Sequence, residues 1–102
     1  MDTIEILEVS VDGTGRLRVV PASNPDKTFR FVYRAAMEIE WDEELQDFYT
    51  PIPKDWSYSD WFRQILTAVR SELGVHLRVV PSTAWKNVPT AQCDEMEKDS
   101  GQ

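Results

Sequence analysis

The segment from Trp56 to Gly74 contains an amphipathic helix with its own start and stop signals, and it constrains what the rest of a 102-residue chain must build. Ser57 is placed to cap the first turn with its hydroxyl, and Asp60, three residues on, can reach back to the amide of Ser57, completing a capping box. In that frame Trp56 precedes the cap and Trp61 falls at the fourth helical position, the pair whose contact makes a hydrophobic staple. Tyr58, Trp61, Phe62, Ile65, Leu66, Val69 and Leu73 recur at offsets of three and four, opposite Gln64, Thr67, Arg70 and Ser71. Gly74 then supplies the left-handed residue that ends the helix. Each apolar side chain of the stripe is worth roughly 1.5–3 kcal/mol once buried, so this face requires a surface to dock on.

The flanking segments read as that surface. From Thr3 to Val11 the apolar residues alternate first as Ile4 and Ile6, then as Leu7, Val9 and Val11, and the slip of phase between Ile6 and Leu7 predicts a β-bulge. Asp12 to Gly15 carry turn chemistry, and Arg16 to Pro21 read as the returning strand, with Pro21, Asn24 and Pro25 ending the pairing. Phe29, Phe31, Tyr33, Ala35, Met37, Ile39 and Trp41 alternate with Arg30, Val32, Arg34, Ala36, Glu38 and Glu40, which predicts a long half-buried strand. At about 3.3 Å per residue it would span about 43 Å, so it has to coil or break near Ala35 and Ala36. Asp42 to Asp47 form an acidic connection, Phe48, Tyr49 and Ile52 a short strand between prolines, and Val75 to Val80 a last strand stopped by Pro81. Leu17 to Pro21 and Leu77 to Pro81 share the run Leu-Arg-Val-Val-Pro, which points to two strands of similar edge character.

The expected fold is α+β: one domain over residues 1–89, a curved, mostly antiparallel sheet of about five strands with one amphipathic helix on one face, in the order ββββαβ. Beyond Trp85 and Val88 the chain turns polar, and residues 90–102 read as a disordered acidic tail. The only cysteine, Cys93, falls there, so no intrachain disulfide can form. The opening Met1, Asp2, Thr3 shows no export signal and no apolar run is long enough to span a bilayer, so the expectation is a cytoplasmic protein.

A net charge of −7 argues against nucleic acid or an anionic membrane as partner. His76, the sole histidine, lies on the polar phase of its strand, where a surface hydrogen bond is expected rather than catalysis. With Cys93 in the tail and no serine in a nucleophile elbow, nucleophilic catalysis has no candidate residue, and the reading leans away from an enzyme. Neither zinc-ligand spacing nor a phosphate-cradling glycine loop occurs, and the acidic connection lacks the ligand pattern of a calcium loop, so no cofactor or metal is expected. Five of seven arginines fall on expected strands, where cross-strand pairing with Glu5, Glu8, Glu38 and Glu40 accounts for them.

Aromatic density is the remaining signal. A small core has difficulty covering Trp41, Tyr49, Trp56 and Trp85 together, which makes these four the candidate partner or dimer surface. Asp42, Glu43, Glu44 and Asp47 are the candidate contact acids for a basic protein partner. A pocket between helix and sheet, lined by Tyr33, Arg34, Trp41 and Trp61, is the candidate for the alternative, a small-molecule binder or modest enzyme.

The run Tyr58, Ser59, Asp60, Trp61, Phe62 through Leu73, Gly74 and Val75, followed by Leu77, Val79, Pro81, Thr83 and Trp85, resembles the helix and final strand of small orphan proteins carried on bacterial integron gene cassettes. The resemblance implies a bacterial, cytoplasmic accessory protein of a mobile element, α+β in fold, often dimeric and of unassigned function, and it transfers no functional residue. Residues and resemblance together predict a non-enzymatic protein-binding protein that acts through a sheet edge and an aromatic patch, as a homodimer.

Overall fold

The computed structural model describes residues 2–24 and 27–100, and its helix α1, Tyr58–Leu73, forms with the signals the sequence carries. Asp60 N donates to Ser57 Oγ at 3.2 Å and Ser57 N donates to Asp60 Oδ2 at 3.0 Å. The indoles of Trp56 and Trp61 meet at 4.8 Å between ring centroids, and Gly74 closes the helix at φ 65°. Phe62, Ile65, Leu66 and Val69 are buried, as is Ala68, while Tyr58, Trp61 and Leu73 pack at the margin of the core. Ser57→Ala should lower the unfolding free energy by about 1 kcal/mol, since it removes an acceptor from an otherwise unpaired first-turn amide. Urea unfolding measures this, and an unchanged midpoint would dismiss the cap.

The sheet is organised by one long strand, β1, Asp2–Val11. One of its edges pairs antiparallel with β2, Leu17–Pro21. The register shifts between Ile6 and Glu8, so the bulge read from the phase slip is present; Leu7 is turned out to solvent while Ile4, Ile6 and Val9 are buried. Beyond β2 lie two three-residue strands, β3, Glu40–Asp42, and β4, Asp47–Tyr49, paired antiparallel, with β4 next to β2. The other edge of β1 is shared in parallel by β5, Val75–Arg78, along Asp2–Glu5, and by β6, Ala84–Lys86, along Glu8–Ser10. The break between β5 and β6 sits opposite the bulge, where Thr83 Oγ1 donates to Ile6 O at 2.7 Å and accepts from Val80 N at 2.9 Å. The two Leu-Arg-Val-Val-Pro runs thus reach opposite edges of β1. The first pairs through to Pro21; the second leaves the ladder after Arg78.

The α+β class, the open sheet and the covering helix α1 are as expected. Among the described residues the sheet has six strands where about five, mostly antiparallel, were expected, and β5 and β6 both join β1 in parallel, so it is mixed; two segments differ in conformation. Phe29 to Trp41 is not a long strand: Phe29–Arg34 is a 3-10 helix, and only Glu40 and Trp41 of the expected run enter β3. The molecule measures 33 × 27 × 22 Å, too short for a straight 43 Å strand. A second spacing hidden in the same residues decides the conformation, because Phe29, Val32, Ala36 and Ile39 stand three and four apart and all four are buried. Tyr33, 50% exposed, and Met37, 83% exposed, fall outside the core that the alternation assigned them to. Phe29 and Trp41 then close with Phe48 into an aromatic cluster, with centroids 4.8–5.4 Å apart.

The second difference is the C-terminal segment. Residues expected as a disordered tail form helix α2, Thr90–Ser100, packed on α1; positions 101–102, like Met1 and Pro25, lie outside the described residues. The segment has little apolar stripe and is held instead by Met96, fully buried, and by polar contacts. Ser59 N donates to Gln92 Oε1 at 2.9 Å, Arg63 Nε to Asp99 Oδ2 at 3.1 Å and Val79 N to Ser100 Oγ at 3.1 Å. These contacts explain why Ser59 is buried on what reads as the polar side of α1.

Candidate functional site

Two groups of side chains gather the residues singled out above. The first is centred on Arg18 of β2. Asp12 uses one carboxylate oxygen to cap its turn, accepting from Thr14 N, Thr14 Oγ1 and Arg16 N, and the other to accept from Arg18 Nε at 2.8 Å. Asp42 does the same one hairpin away: Oδ1 accepts from Glu44 N and Leu45 N, and Oδ2 from Arg18 Nη1 at 3.3 Å. Asp47 Oδ1 accepts from the same Nη1 at 2.9 Å, and the guanidinium lies 4.8 Å from the centroid of Tyr49. One arginine therefore clasps the β1–β2 turn to the β3–β4 hairpin. Of the four expected contact acids, Asp42 and Asp47 point into this clasp, whereas Glu43 and Glu44 sit exposed on the turn.

The three carboxylates of the clasp do not share one electrostatic state. Burial pushes Asp47 up to about 6, with Arg18 opposing and Asp42 and Asp12 reinforcing the rise. At Asp12 burial works in the same direction, but Thr14, Arg18 and the amide of Arg16 outweigh it and hold the carboxyl well below its ordinary value. Asp42 is also lowered, first by the amide of Leu45. In the folded chain Asp47 thus holds its proton above the ordinary 3.8, so its contribution to stability is full below that value and is lost as pH rises through about 6. Asp12 and Asp42 contribute above 3.8 and lose that contribution as pH falls below it. Stability should therefore rise by about 1 kcal/mol between pH 7 and pH 5 and fall again in stronger acid. Asp47→Asn should flatten the rise in a pH series of melting curves; a slope unchanged by that substitution would mean another group is responsible.

The second group lies where the chain enters α1. Gly15, at φ +92°, turns β1 into β2, and its carbonyl accepts from Tyr58 Oη at 3.0 Å, which holds this turn against the first turn of the helix. Ile52 Cγ2 lies 3.7 Å from where a Cβ on Gly15 would be, so the same turn supports the connection 50–57. Pro51 and Pro53 keep Ile52 extended and out of any ladder. Between this connection and the helix lies an open cleft of about 390 Å³, lined by Glu38, Pro51, Ile52, Lys54, Asp55, Trp56, Trp61 and Gln64. Trp56 is 47% exposed and tilted by 49° against Trp61.

The remaining sequence candidates are dispersed. Trp41 packs into the aromatic cluster on the core face of the β3–β4 hairpin, and Tyr49, one position along from its cross-strand partner Phe48, lies on the opposite face under Arg18. Trp85, on β6, packs against the core beside a second cleft of about 500 Å³ formed with Val79, Val80, Pro81, Thr83 and Glu97. Of the four proposed pocket residues, Trp61 borders the cleft at α1. Arg34, 4.0 Å from Glu72, lines a separate recess with Phe31, and Tyr33 and Trp41 line neither. The buried indole N–H groups of Trp41 and Trp61 meet no acceptor among the described residues. The sequence assigns Glu38 to cross-strand pairing, Ile52 to a short strand and Gln64 to the polar side of α1, and gives Asp55 no role, so none of the four is a candidate there; the available signal was Ile52 isolated between two prolines.

His76 makes the expected hydrogen bonds. Arg70 Nη2 can only donate, so it donates to Nδ1 at 2.8 Å, leaving Nε2–H to donate to Ser100 O at 3.0 Å, and the ring ties α1 and β5 to the end of α2. Among the described residues no group of three or more His, Cys, Asp or Glu is placed to hold a metal ion, and no helix is long and apolar enough to cross a membrane.

Residues 2–83 match the model of a family described as Integron Cassette Protein Hfx_Cass5. A solved structure from the mobile metagenome of the North West Arm Sewage Outfall, Integron Cassette Protein Hfx_Cass5, is 36% identical over 100% of this chain and 99% of its own, with a TM-score of 0.47. No curated protein matches. The matched span contains the whole of α1, β5 and Thr83, most of the run on which the resemblance to cassette-encoded proteins rests, and the chain belongs to the integron cassette protein family Hfx_Cass5.

Proposed function

We propose that this cassette protein is a non-enzymatic accessory protein that binds another protein through the cleft at the start of α1. The observation that carries this reading is Trp56, which is 47% exposed although packed against Trp61, and which faces the same cleft as Ile52, 51% exposed. Single exposed apolar side chains are ordinary on a protein surface, but an indole and an isoleucine around one concavity have the make-up of a contact centre. The sheet edge lends less support, because the outer strand β3 is three residues long and carries Glu40 and Asp42.

A displayed random-peptide library selected on the wild-type chain and counter-selected on an Ile52→Thr, Trp56→Gln double variant tests the reading. Enrichment of apolar and aromatic peptides that the double variant fails to retain is the expected result; sequences retained equally by both would overturn it. Light scattering identifies the occupant in the absence of a partner. A salt-resistant particle of twice 11.8 kDa that the double variant dissociates would make it the homodimer expected from the sequence.

The alternative of a small-molecule site draws on the same cleft, whose volume falls at the lower end for ligand pockets, roughly 300–1,000 Å³. It predicts a thermal shift with small apolar compounds that is absent from the double variant.

A further inference from the structure

We infer that the guest selected by this cleft is the cationic side chain of an arginine or lysine on a partner protein, a specificity that rests on the protein-binding reading above. Glu38 and Asp55 both line the cleft and both are exposed, and neither makes a hydrogen bond or ion pair with any described residue. Several acids elsewhere in the chain are engaged internally: Asp12, Asp42 and Asp47 with Arg18, Asp60 with Ser57 and Arg63, Asp99 with Arg63, and Glu8 with Lys86; what sets Glu38 and Asp55 apart is that both are free beside one cleft that also holds the exposed indole of Trp56. Lys54 is the one cation among the lining residues, so carboxylates outnumber it two to one. The net charge of −7 has the same sign and would draw a basic partner in.

The walls suit such a guest as well as the rim does. An arginine or lysine side chain combines an apolar stem with a charged head. The stem can lie along Pro51 and Ile52, while the head gains from the face of an indole and from the carboxylates beyond it. The fold already uses this combination internally, holding Arg18 4.8 Å from the Tyr49 centroid among three carboxylates. A purely aliphatic guest would draw Glu38 and Asp55 out of water without a partner, and an anionic one would be repelled by both.

The test is a titration of the isotopically labelled full chain, observing the indole N–H resonances of Trp56 and Trp61 by NMR. The probes are the N-acetyl amides of arginine, lysine, norleucine and glutamate. The arginine and lysine probes should shift both resonances saturably, with a dissociation constant at least about tenfold below that of norleucine, a difference of 1.4 kcal/mol. Glutamate amide should leave them in place. In a Glu38→Gln, Asp55→Asn double variant, both changes at exposed positions, the preference for the basic probes should collapse at least about fivefold while the norleucine response persists. Norleucine binding as tightly as arginine would overturn the charge selection and leave an apolar protein-binding cleft standing. Library peptides that bind while no amide perturbs either indole would overturn the inference alone. Failure of both peptides and amides would remove the protein-binding reading with it.

Discussion

Replacing Arg18 by methionine should cost about 3 kcal/mol of unfolding free energy at pH 7, the larger of the two greatest effects expected in this fold. Methionine keeps an unbranched apolar stem and removes the guanidinium, including its contact with the Tyr49 ring, so the loss is electrostatic. Asp12, Asp42 and Asp47 would remain facing one another with their shared cation gone, and Asp47 is almost fully buried. The deficit should shrink on acidification. Asp47 already holds its proton to about pH 6 with Arg18 present, and without the guanidinium it would hold it to a higher pH still. Urea unfolding of both proteins at pH 5 and pH 7.5 measures the effect. A loss below about 1 kcal/mol at the higher pH would reduce the clasp to an ordinary surface ion pair.

The second large effect is expected at Met96. Truncation to alanine should lower stability by about 2–3 kcal/mol, because this side chain is fully buried and α2 has few other apolar atoms in the core. If residues 90–100 were a solvated tail, the same substitution would be neutral, so one melting curve separates the two states. The change should also loosen the hydrogen bonds that close around Ser100, and the amide of Val79, which donates to Ser100 Oγ, should exchange its hydrogen faster. Slow exchange at Val79 alongside a lowered midpoint would show that Ser100 stays docked independently of Met96.

The Arg18 clasp also bears on how the candidate cleft is held. Arg18 ties the β1–β2 turn to the β3–β4 hairpin, and the β1–β2 turn in turn carries Gly15, whose carbonyl positions Tyr58 at the start of α1. A weakened clasp should therefore reach the Trp56–Trp61 pair through the Gly15 turn, which the same indole resonances would report. The acids read from the sequence as a contact surface for a basic partner divide accordingly. Asp42 and Asp47 hold the hairpin, and the carboxylates beside the cleft are Glu38 and Asp55.

What the sequence determined by itself was local. Ser57, Asp60, Trp56, Trp61 and Gly74 specify α1 because capping and stapling act within a few residues, and the phase slip at Ile6 and Leu7 specifies the bulge because side-chain direction in a strand has period two. The membership in a cassette-protein family was legible on the same footing, from the run between Tyr58 and Trp85. Tertiary structure decided what depended on distant partners. Between Phe29 and Ile39 two periodicities are written over the same residues, and the 3-10 helix prevails because Phe29 and Val32 find Phe48, Trp41 and α1 to pack on. Residues 90–100 lack a stripe that would predict a helix, yet Gln92, Met96, Asp99 and Ser100 each meet a partner on α1, on the chain after β5 or in the core. The cleft belongs to this second kind. Glu38, the connection that carries Ile52 and Asp55, and Trp61 of α1 come from three stretches of chain, and their convergence follows from the way the Gly15 turn and the two prolines set that connection against α1, a geometry that no local pattern encodes.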